Sequence, residues 1–458
     1  MHLSLSRATV AIALISLLSC LPISRLVAEG QDARFKVDLL LVVAHPDDDV
    51  LAGTYFAKLL DEGKRIAVVF MTSGESGGNA AGVERATSLG LIRQTEARKD
   101  LSSIGITTVW FLTGRDTAGQ DPRRSLAVWG HGRVLADTVR IVRLTRPEVM
   151  LTWLPLQVAG ENHGDHQAAS VVATEAFDAA GDASQFPEQL AAPVKQFESE
   201  YDGLEVWQPK KLYFMSDATD TAFMTGRGPS YPVTERTSKG VPYWQVAYQQ
   251  LTAHVTQYRA QLEQLAALTP AQREQAILNT PGALTNPLRF IRGKSVIGGA
   301  VDGDIFTGLS TGPVHAATAV PPAATPDPLL TLGGPWAYYR QFWRAHGLSD
   351  LASIATQAIG PVNGQEAVRI PLQIANAGTA PLTVTLKATL PAGWQGETPT
   401  TVTVPAGTSV EVASKVTAEK GTPNGAVTFT YEASAPGQNA VSLSVPVVFE
   451  RGEGGLPQ

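Results

Sequence analysis

Two short segments of the chain combine imidazole and carboxylate side chains in a pattern that suits metal chemistry. The first, residues 44–49, reads Ala-His-Pro-Asp-Asp-Asp, and the second, residues 163–166, reads His-Gly-Asp-His. Histidine and aspartate are the ligands of catalytic zinc sites, which keep one coordination position open for water. Asp47, next to such a metal, is a candidate general base. The two segments therefore predict a metal-dependent hydrolase.

Each segment follows an apolar run that is predicted to be a buried strand, at 39–45 and 149–154. Further strands are predicted at 66–72, 107–112 and 211–215, and they alternate with predicted helices at 50–62, 84–104, 134–144 and 165–180. This alternation is typical of a Rossmann-like parallel sheet with helices on both faces. Right-handed crossovers bring the strand-to-helix loops to one edge, where open α/β sheets build their sites. We therefore expect the two segments to meet there.

The composition changes along the rest of the chain. Residues 218–348 are predicted to extend the catalytic domain with helical and irregular segments. These include a helical stretch at 243–278, with a break at Thr269-Pro270, and a Pro-rich linker at 313–328. From 360 to 450, short runs alternate apolar and polar residues between turn signals. This pattern is typical of an immunoglobulin-like β-sandwich of about a hundred residues. The predicted domains are 1–28 (signal peptide), 35–217 (catalytic), 218–348 (extension) and 360–450 (sandwich).

The amino terminus has the features of a targeting segment. Arg7 precedes an apolar run at 8–21, which is shorter than the ~20 residues that span a bilayer, and this favours a secretory signal cleaved after Ala28. We therefore expect export to the periplasm or the medium. Lipidation at Cys20 is the alternative, and it is the one route by which we expect a membrane contact. Cys20 is the only cysteine, so cleavage after Ala28 would exclude thiol catalysis and cysteine-based zinc sites.

Length and net charge limit the number of domains and the kinds of partner that we expect for this protein. A chain of 458 residues with 44% hydrophobic residues is expected to fold as two or three globular domains. The net charge is −6 and no run of Lys or Arg is present, so the sequence disfavours nucleic-acid binding through a basic surface.

The two motifs resemble the signatures of the PIG-L / LmbE-like deacetylases, a family of zinc-dependent N-acetylglucosaminyl deacetylases and related amidases on a Rossmann-like sheet. Two more segments are similar, namely 71–75 (Met-Thr-Ser-Gly-Glu) and 92–97 (Ile-Arg-Gln-Thr-Glu-Ala). The resemblance covers about 37–217 and continues faintly at 253–257, a His-and-Gln segment of larger members. The sandwich resembles modules appended to bacterial glycosidases.

The resemblance implies a role for each residue of the motifs. His45, Asp48 and His166 would bind zinc, although His and Asp ligands also suit other divalent transition metals. Asp47 would be the general base that activates water. His163 would stabilise the tetrahedral intermediate or protonate the leaving amine.

Other residues are expected to support the site or to contact the substrate. Asp165 would orient a histidine from behind the metal, as such sites commonly require. Arg93 would contact the substrate or brace the site, and Glu96 lies on the same predicted helix. The family usually has Glu where this chain has Asp49, which is predicted to cap the following helix. Trp153 is predicted to pack in the core.

These features predict an exported zinc-dependent hydrolase that removes the N-acetyl group from an N-acetylglucosamine-type sugar or glycoconjugate. One alternative is an amidase of the same family acting on a non-sugar amide. Another, motivated by the sandwich and its capacity for glycan contact, is a non-catalytic carbohydrate-binding or cell-surface protein. The glycine-rich segment 74–79 lacks the dinucleotide fingerprint and the P-loop lysine, which disfavours a nucleotide-binding protein. That segment is predicted to be a flexible loop beside the metal.

Overall fold

The computed structural model describes residues 32–156, 163–191, 203–217, 227–279, 284, 288–309, 327–355, 359–362 and 367–449. The predicted signal peptide, Cys20 and most of the predicted linker lie outside the described residues.

A mixed sheet of seven strands forms the centre of the amino-terminal part of the structure. Its strands are β1 Leu39–Val43, β2 Ile66–Phe70, β3 Thr108–Phe111, β4 Val149–Trp153, β5 Lys211–Met215, β6 Ser230–Tyr231 and β7 Leu288–Ser295. Their order in the sheet is β3-β2-β1-β4-β5-β7-β6. The first five are parallel, as the alternating pattern predicted. β7 and β6 add an antiparallel edge that the sequence did not reveal.

The strand order reverses between β1 and β4, which lie side by side in the sheet. The chain runs outward from β1 through β2 to β3, and then returns to β4 on the other side of β1. A crevice forms at such a switch point because the connections on its two sides run in opposite directions. Both motifs follow strands that flank this crevice, so the topology alone brings them together.

Helices cover both faces of the sheet, as predicted. The strands are buried on both sides, and residues of β1 alternate between two hydrophobic clusters: Leu40 and Val42 face one, whereas Leu39, Leu41 and Val43 face the other. The helices are α1 Gly53–Asp61, α2 Ala86–Ile104, α3 Pro122–Trp129, α4 His131–Thr145 and α5 Gly164–Ala179. A short 3-10 helix, Asp48–Ala52, precedes α1. Helix α3 was not predicted.

The extension packs against the same domain. It supplies three helices, α6 Tyr243–Leu251, α7 Val255–Ala266 and α8 Pro270–Asn279. The break before Pro270 was predicted, whereas a second break at 252–254 was not. This break leaves His254 outside the helices, as the N-cap residue of α7. Helix α6 packs on α1 and α2, so the extension covers the same face as those helices.

The carboxyl-terminal strands form two antiparallel sheets that enclose a separate hydrophobic core. The strands are β8 Leu330–Leu332, β9 Ile359–Val362, β10 Val368–Ala375, β11 Leu382–Thr389, β12 Trp394–Glu397, β13 Thr401–Val404, β14 Ser409–Ala418, β15 Gly425–Ser434 and β16 Val441–Phe449. One exception to the antiparallel pairing is the short strand β9, which runs parallel to β16. The predicted sandwich is confirmed, and β8, β9 and β12 are strands that the sequence pattern did not indicate.

The aromatic rings of the sandwich lie in its core. Trp394, Phe429, Tyr431 and Phe449 are all buried. Trp394 packs edge-on against both phenylalanines. A glycan contact through the described part of the sandwich would therefore depend on polar side chains rather than on a flat aromatic platform.

A helix that the sequence did not indicate, α9 Gly334–His346, joins the two cores. Trp336 packs against the sandwich core, whereas Tyr339, Phe342 and Trp343 belong to the core of the α/β domain. The Trp343 indole donates a hydrogen bond to the Pro155 carbonyl at 2.9 Å. The sandwich is thus fastened to the domain by packed side chains. None of the described helices has the length and apolar character needed to cross a bilayer.

Trp343→Ala tests whether α9 is a structural part of the α/β domain. We expect the free energy of unfolding to fall by about 3–5 kcal/mol, the usual cost of truncating a buried aromatic side chain. Gln341→Ala, on the exposed side of the same helix, is the control, with an expected change within about 0.5 kcal/mol. Urea denaturation followed by tryptophan fluorescence and circular dichroism measures both. Equal stabilities of the two variants would contradict this role.

Candidate metal centre

Three ligand-type atoms converge at the carboxyl ends of β1 and β4. The His45 Nδ1 atom lies 3.1 Å from His166 Nε2, and His166 Nε2 lies 3.2 Å from Asp48 Oδ1. The third side of the triangle, from His45 Nδ1 to Asp48 Oδ1, is 3.6 Å. Tetrahedral zinc with bonds of about 2.0–2.1 Å separates its ligand atoms by about 3.3 Å. The triangle therefore has the dimensions of one face of a zinc tetrahedron.

Local structure holds the Asp48 carboxylate in one orientation. Its Oδ2 atom accepts hydrogen bonds from the backbone N–H groups of Ala44 and His45, each at 2.9 Å, and from the Trp153 indole at 2.8 Å. These three donors occupy one oxygen and leave Oδ1 turned towards the histidines. The Trp153 ring also stacks on His166, with centroids 4.1 Å apart. Trp153, predicted to be a core residue, is buried but is also part of the site.

The second nitrogen of His45 faces two carboxylates. Its Nε2 atom lies 3.3 Å from Asp116 Oδ1 and 3.6 Å from Asp165 Oδ2. Thr117 fixes Asp165 through its backbone N–H at 2.8 Å and its hydroxyl at 2.5 Å. A carboxylate that accepts from one ring nitrogen of a histidine leaves the lone pair of the other nitrogen free for a metal. Asp116 and Asp165 both lie where a carboxylate could orient the His45 ring, and Asp116 is the nearer of the two.

The electrostatics of the triangle favour a positive charge between its members. Burial opposes charge on both His45 and Asp48, but their mutual attraction and that of the neighbouring groups is stronger. The pKa of His45 is consequently raised well above its usual value, and the pKa of Asp48 is held well below its usual range. Burial likewise opposes charge on Asp116, yet the contact with His45 lowers its pKa. A divalent cation would satisfy the same carboxylates.

His163 lies beside the triangle, and Asp47 directly precedes Asp48 in the chain; both side chains are half-buried. The rings of His163 and His166 are 4.3 Å apart. His163 Nδ1 accepts the Asp165 backbone N–H at 3.3 Å, which caps α5. Burial, together with His166 and His45, lowers the pKa of His163 to about 4. A neutral imidazole that accepts at Nδ1 carries its proton on Nε2, so His163 is able to donate a hydrogen bond.

Arg93 and Glu96 hold the walls of the site. The buried Arg93 guanidinium donates to the carbonyls of Gly74 at 2.7 Å and Gly78 at 2.9 Å. These contacts favour the bracing role over substrate contact, because they fasten the glycine-rich loop to α2. Glu96 accepts from the backbone N–H and the hydroxyl of Thr256, at 2.9 and 2.5 Å. It thereby fixes the beginning of α7.

Asp49 does not cap a helix as predicted but joins a second buried cluster. Its Oδ2 atom accepts from the Gln250 amide at 3.3 Å. Asp100, which pairs with His254 at 2.9 Å, lies next to it. Burial and the contact with Asp100 raise the pKa of Asp49 well above its usual value, and burial raises the pKa of Asp100 to about 7. This cluster fastens the extension to the loop that carries Asp47 and Asp48.

Sequence reasoning missed three side chains that contact the predicted metal ligands or Asp47. They are Asp116, Tyr258 and Trp153, which was predicted only as a core residue. Asp116 follows β3, and its position after a third parallel strand is a signal that could have identified it. Tyr258 lies in the extension, where its hydroxyl is 3.3 Å from Asp47 Oδ2. No motif spacing connects positions 211 residues apart, so that contact could not have been read from the sequence.

Comparisons with known proteins match the two parts of the chain separately. Residues 40–177 match the family model described as PIG-L, GlcNAc-PI de-N-acetylase. Residues 363–435 match the model described as NPCBM-associated, NEW3 domain of alpha-galactosidase. The family matches thus cover both motifs with strands β1 to β4, and most of the sandwich.

Two similar proteins are 1D-myo-inositol 2-acetamido-2-deoxy-alpha-D-glucopyranoside deacetylases. The one from Geodermatophilus obscurus is 33% identical over 169 residues, which are 33% of this chain and 56% of the relative. The one from Tsukamurella paurometabola is 33% identical over 183 residues, or 35% of this chain and 61% of the relative. The chain therefore spans little more than half the length of these relatives.

A solved structure to which the chain shows similarity is N,N'-diacetylchitobiose deacetylase from Pyrococcus horikoshii, complexed with its inhibitor MPG. It aligns with a TM-score of 0.38 and 16% identity over 61% of this chain and 88% of that chain.

Asp116→Asn tests whether the carboxylate behind His45 supports a metal site. The substitution keeps the shape of the side chain and removes its charge, so we expect zinc affinity to fall about 10–100-fold. Competition with a fluorescent chelator measures the dissociation constant. Asp121→Asn is the control, because Asp121 caps α3 on the surface and Asn caps equally well. Equal zinc affinities in the two variants would contradict the role of Asp116.

Proposed function

We propose that residues 40–177, which match the PIG-L family model, form a deacetylase domain of that family and that the protein is a zinc-dependent N-deacetylase. The observation that carries the proposal is the triangle of His45 Nδ1, Asp48 Oδ1 and His166 Nε2, with Asp47 beside it. Three protein ligands and an open fourth position are the arrangement of catalytic rather than structural zinc. The domain also supplies a base and a hydrogen-bond donor next to that position.

We assign each step of amide hydrolysis to a residue of the chain. Zinc, when bound, supplies a Lewis acid and lowers the pKa of water to about 7. In this proposal Asp47 accepts a proton from the attacking water, because it directly precedes Asp48 in the chain and is not a member of the triangle. His163, neutral and with its proton on Nε2, is positioned to donate to the developing oxyanion or to the leaving amine. His45 keeps its tautomer through Asp116 and Asp165.

We propose an N-acetylglucosamine-type sugar or glycoconjugate as the substrate. The support is the description of the matching family and the names of the two relatives, which contain a 2-acetamido-2-deoxy-glucopyranoside unit. The NEW3 match of the sandwich is consistent with a glycan environment. An amide of another kind within the same family is the alternative, since one fold hosts many substrates.

Metal content and acetate release together test the proposal. Purified protein is expected to hold about one zinc per chain. It should also release acetate from members of a panel of N-acetyl-sugars and their conjugates. Zinc without acetate release would retain the metal site and exclude the N-acetyl-sugar substrate. Protein that binds no divalent metal, even when zinc is supplied, would refute the proposal and favour a non-catalytic carbohydrate-binding protein.

Two variants separate the base from the ligands. Asp47→Asn should lower kcat by about 10²–10⁴-fold, the usual contribution of a general base, while zinc content stays at the wild-type level. Asp48→Asn should lose zinc and activity together, because it removes a ligand charge. Asp302→Asn, on the exposed surface, is the control and should change neither. A normal rate in Asp47→Asn would assign the base elsewhere.

We also propose that the protein is exported. The support is the apolar run at 8–21 after Arg7. When the full chain is expressed in a bacterial host, we expect the protein outside the cytoplasm with Glu29 as its first residue. A mature chain that begins at lipid-modified Cys20 would instead establish membrane anchoring, and an unprocessed cytoplasmic chain would refute export. Edman sequencing and intact mass of the fractionated protein decide among the three.

A further inference from the structure

We propose that Tyr258, in the extension, is a positioning residue for the Asp47 carboxylate. The inference rests on the proposed function, in which Asp47 is the general base, and it adds a residue that lies outside the matched family segment. The Tyr258 hydroxyl lies 3.3 Å from Asp47 Oδ2. Asp47 and Tyr258 come from different parts of the chain, so the contact exists only because the extension folds over the end of β1.

Asp47 has few other means of holding its side chain. It precedes the short helix Asp48–Ala52, yet its carboxylate makes no capping hydrogen bond to that helix. Among the described residues, the Tyr258 hydroxyl is the hydrogen-bond partner of this carboxylate. The last torsion of an aspartate side chain is broad, so a free carboxylate would rotate over a wide range. One donor on Oδ2 restricts that rotation and leaves Oδ1 available to take a proton.

Two buried carboxylates of α2 fix the beginning of α7, the helix that carries Tyr258. Glu96 binds the backbone N–H and hydroxyl of Thr256, and Asp100 pairs with His254. Glu96 and Asp100 are four residues apart, so both point from the same face of α2. Removing either would leave buried polar groups unpaired, which makes this attachment costly to break.

The attachment also extends to the glycine-rich loop. The Ala80 N–H donates to the Thr256 carbonyl at 2.8 Å, while Arg93 holds the same loop from α2. The start of α7 is therefore tied to two elements of the α/β domain. Three residues after Val255, helix α7 departs from helical geometry at Tyr258, with φ −116° and ψ 17°. The kink occurs at the residue whose hydroxyl contacts Asp47.

The contact can influence the rate without contributing to substrate binding. Tyr258 acts on the carboxylate, and the geometry gives it no role as an acid or a base of its own. A hydrogen bond to an ionised oxygen is among the stronger ones in proteins. Loss of this bond should therefore lower kcat, because Asp47 spends less time in the orientation that accepts a proton, and should leave KM and zinc binding nearly unchanged.

Tyr258→Phe removes only the hydroxyl. We expect kcat to fall about tenfold, in line with the loss of one hydrogen bond to a charged group. We expect KM to stay within about twofold of wild type, because the substitution does not change the interactions that bind the substrate. Zinc content should match wild type, and the variant should remain folded. Tyr248→Phe, a tyrosine of α6 that packs against the hydrophobic residues of the extension, is the matched control and should show wild-type kinetics.

A double-mutant cycle decides whether Tyr258 acts through Asp47. In the Asp47→Asn background, Tyr258→Phe should cause no further loss of the residual rate, since residues that act together are not additive. The same loss in both backgrounds would overturn the proposal. A second cycle uses the thermal midpoint of metal-free protein, which does not depend on activity. The shifts caused by Tyr258→Phe and Asp47→Ala should not add in the double variant, and additive shifts would contradict a direct contact.

Failure of this inference can be distinguished from failure of the proposed function. If wild type and Tyr258→Phe release acetate at the same rate, and Asp47→Asn is impaired, the function stands and the positioning role is refuted. If wild type releases no acetate from any substrate of the panel, the proposed function has failed and the inference falls with it.

Discussion

The site depends on one buried carboxylate, that of Asp48, and on the strand order that supplies its hydrogen-bond donors. One of its oxygens accepts from Ala44, His45 and Trp153, so it joins the end of β1 to the end of β4. These donors are available together only because β1 and β4 are neighbours at the switch point of the sheet. A carboxylate held by three donors stays ionised and keeps a fixed direction. Its other oxygen consequently faces the imidazoles of His45 and His166. This orientation sets the distances between the three ligand atoms.

Charge in the site is arranged in layers outward from that carboxylate. Asp116 and Asp165 lie next to His45, on the side of the ring away from the ligand triangle. Carboxylates at this position help to stabilise a cation in a site that is little exposed to water. Further out, Arg93 and Glu96 contact backbone and hydroxyl groups of the surrounding loop and helix. The side chains that hold the walls are therefore distinct from those that are suited to bind metal, although several of them belong to the same motifs.

The later parts of the chain contribute to the domain in different ways. The extension adds strands to the sheet and closes over the loop of Asp47, with Asp49, Asp100 and His254 buried at the contact. The sandwich is attached through α9, whose aromatic side chains enter both cores. Its own aromatic rings are buried, so the described residues of the sandwich offer no exposed aromatic ring for stacking on a sugar. The two matched family segments thus correspond to two units, and the residues between them connect these units through packed side chains.

Periodicity and local motif spacing were enough to predict the parallel sheet, the sandwich and the pairing of the two motifs at one edge. Each of these features is local in sequence: a strand-helix alternation, a period of two, or a cluster of ligand types after an apolar run. The contacts of Asp116, Trp153 and Tyr258 were not predictable in this way, because each depends on which elements become neighbours in space. The same holds for α9 and β7, whose short or amphipathic sequences become specific only against a partner surface. The sequence by itself determined the chemistry available and the edge at which it gathers. Only the tertiary structure decided which oxygen or nitrogen of each residue faces inward, because that choice is made by hydrogen-bond partners distant in the chain.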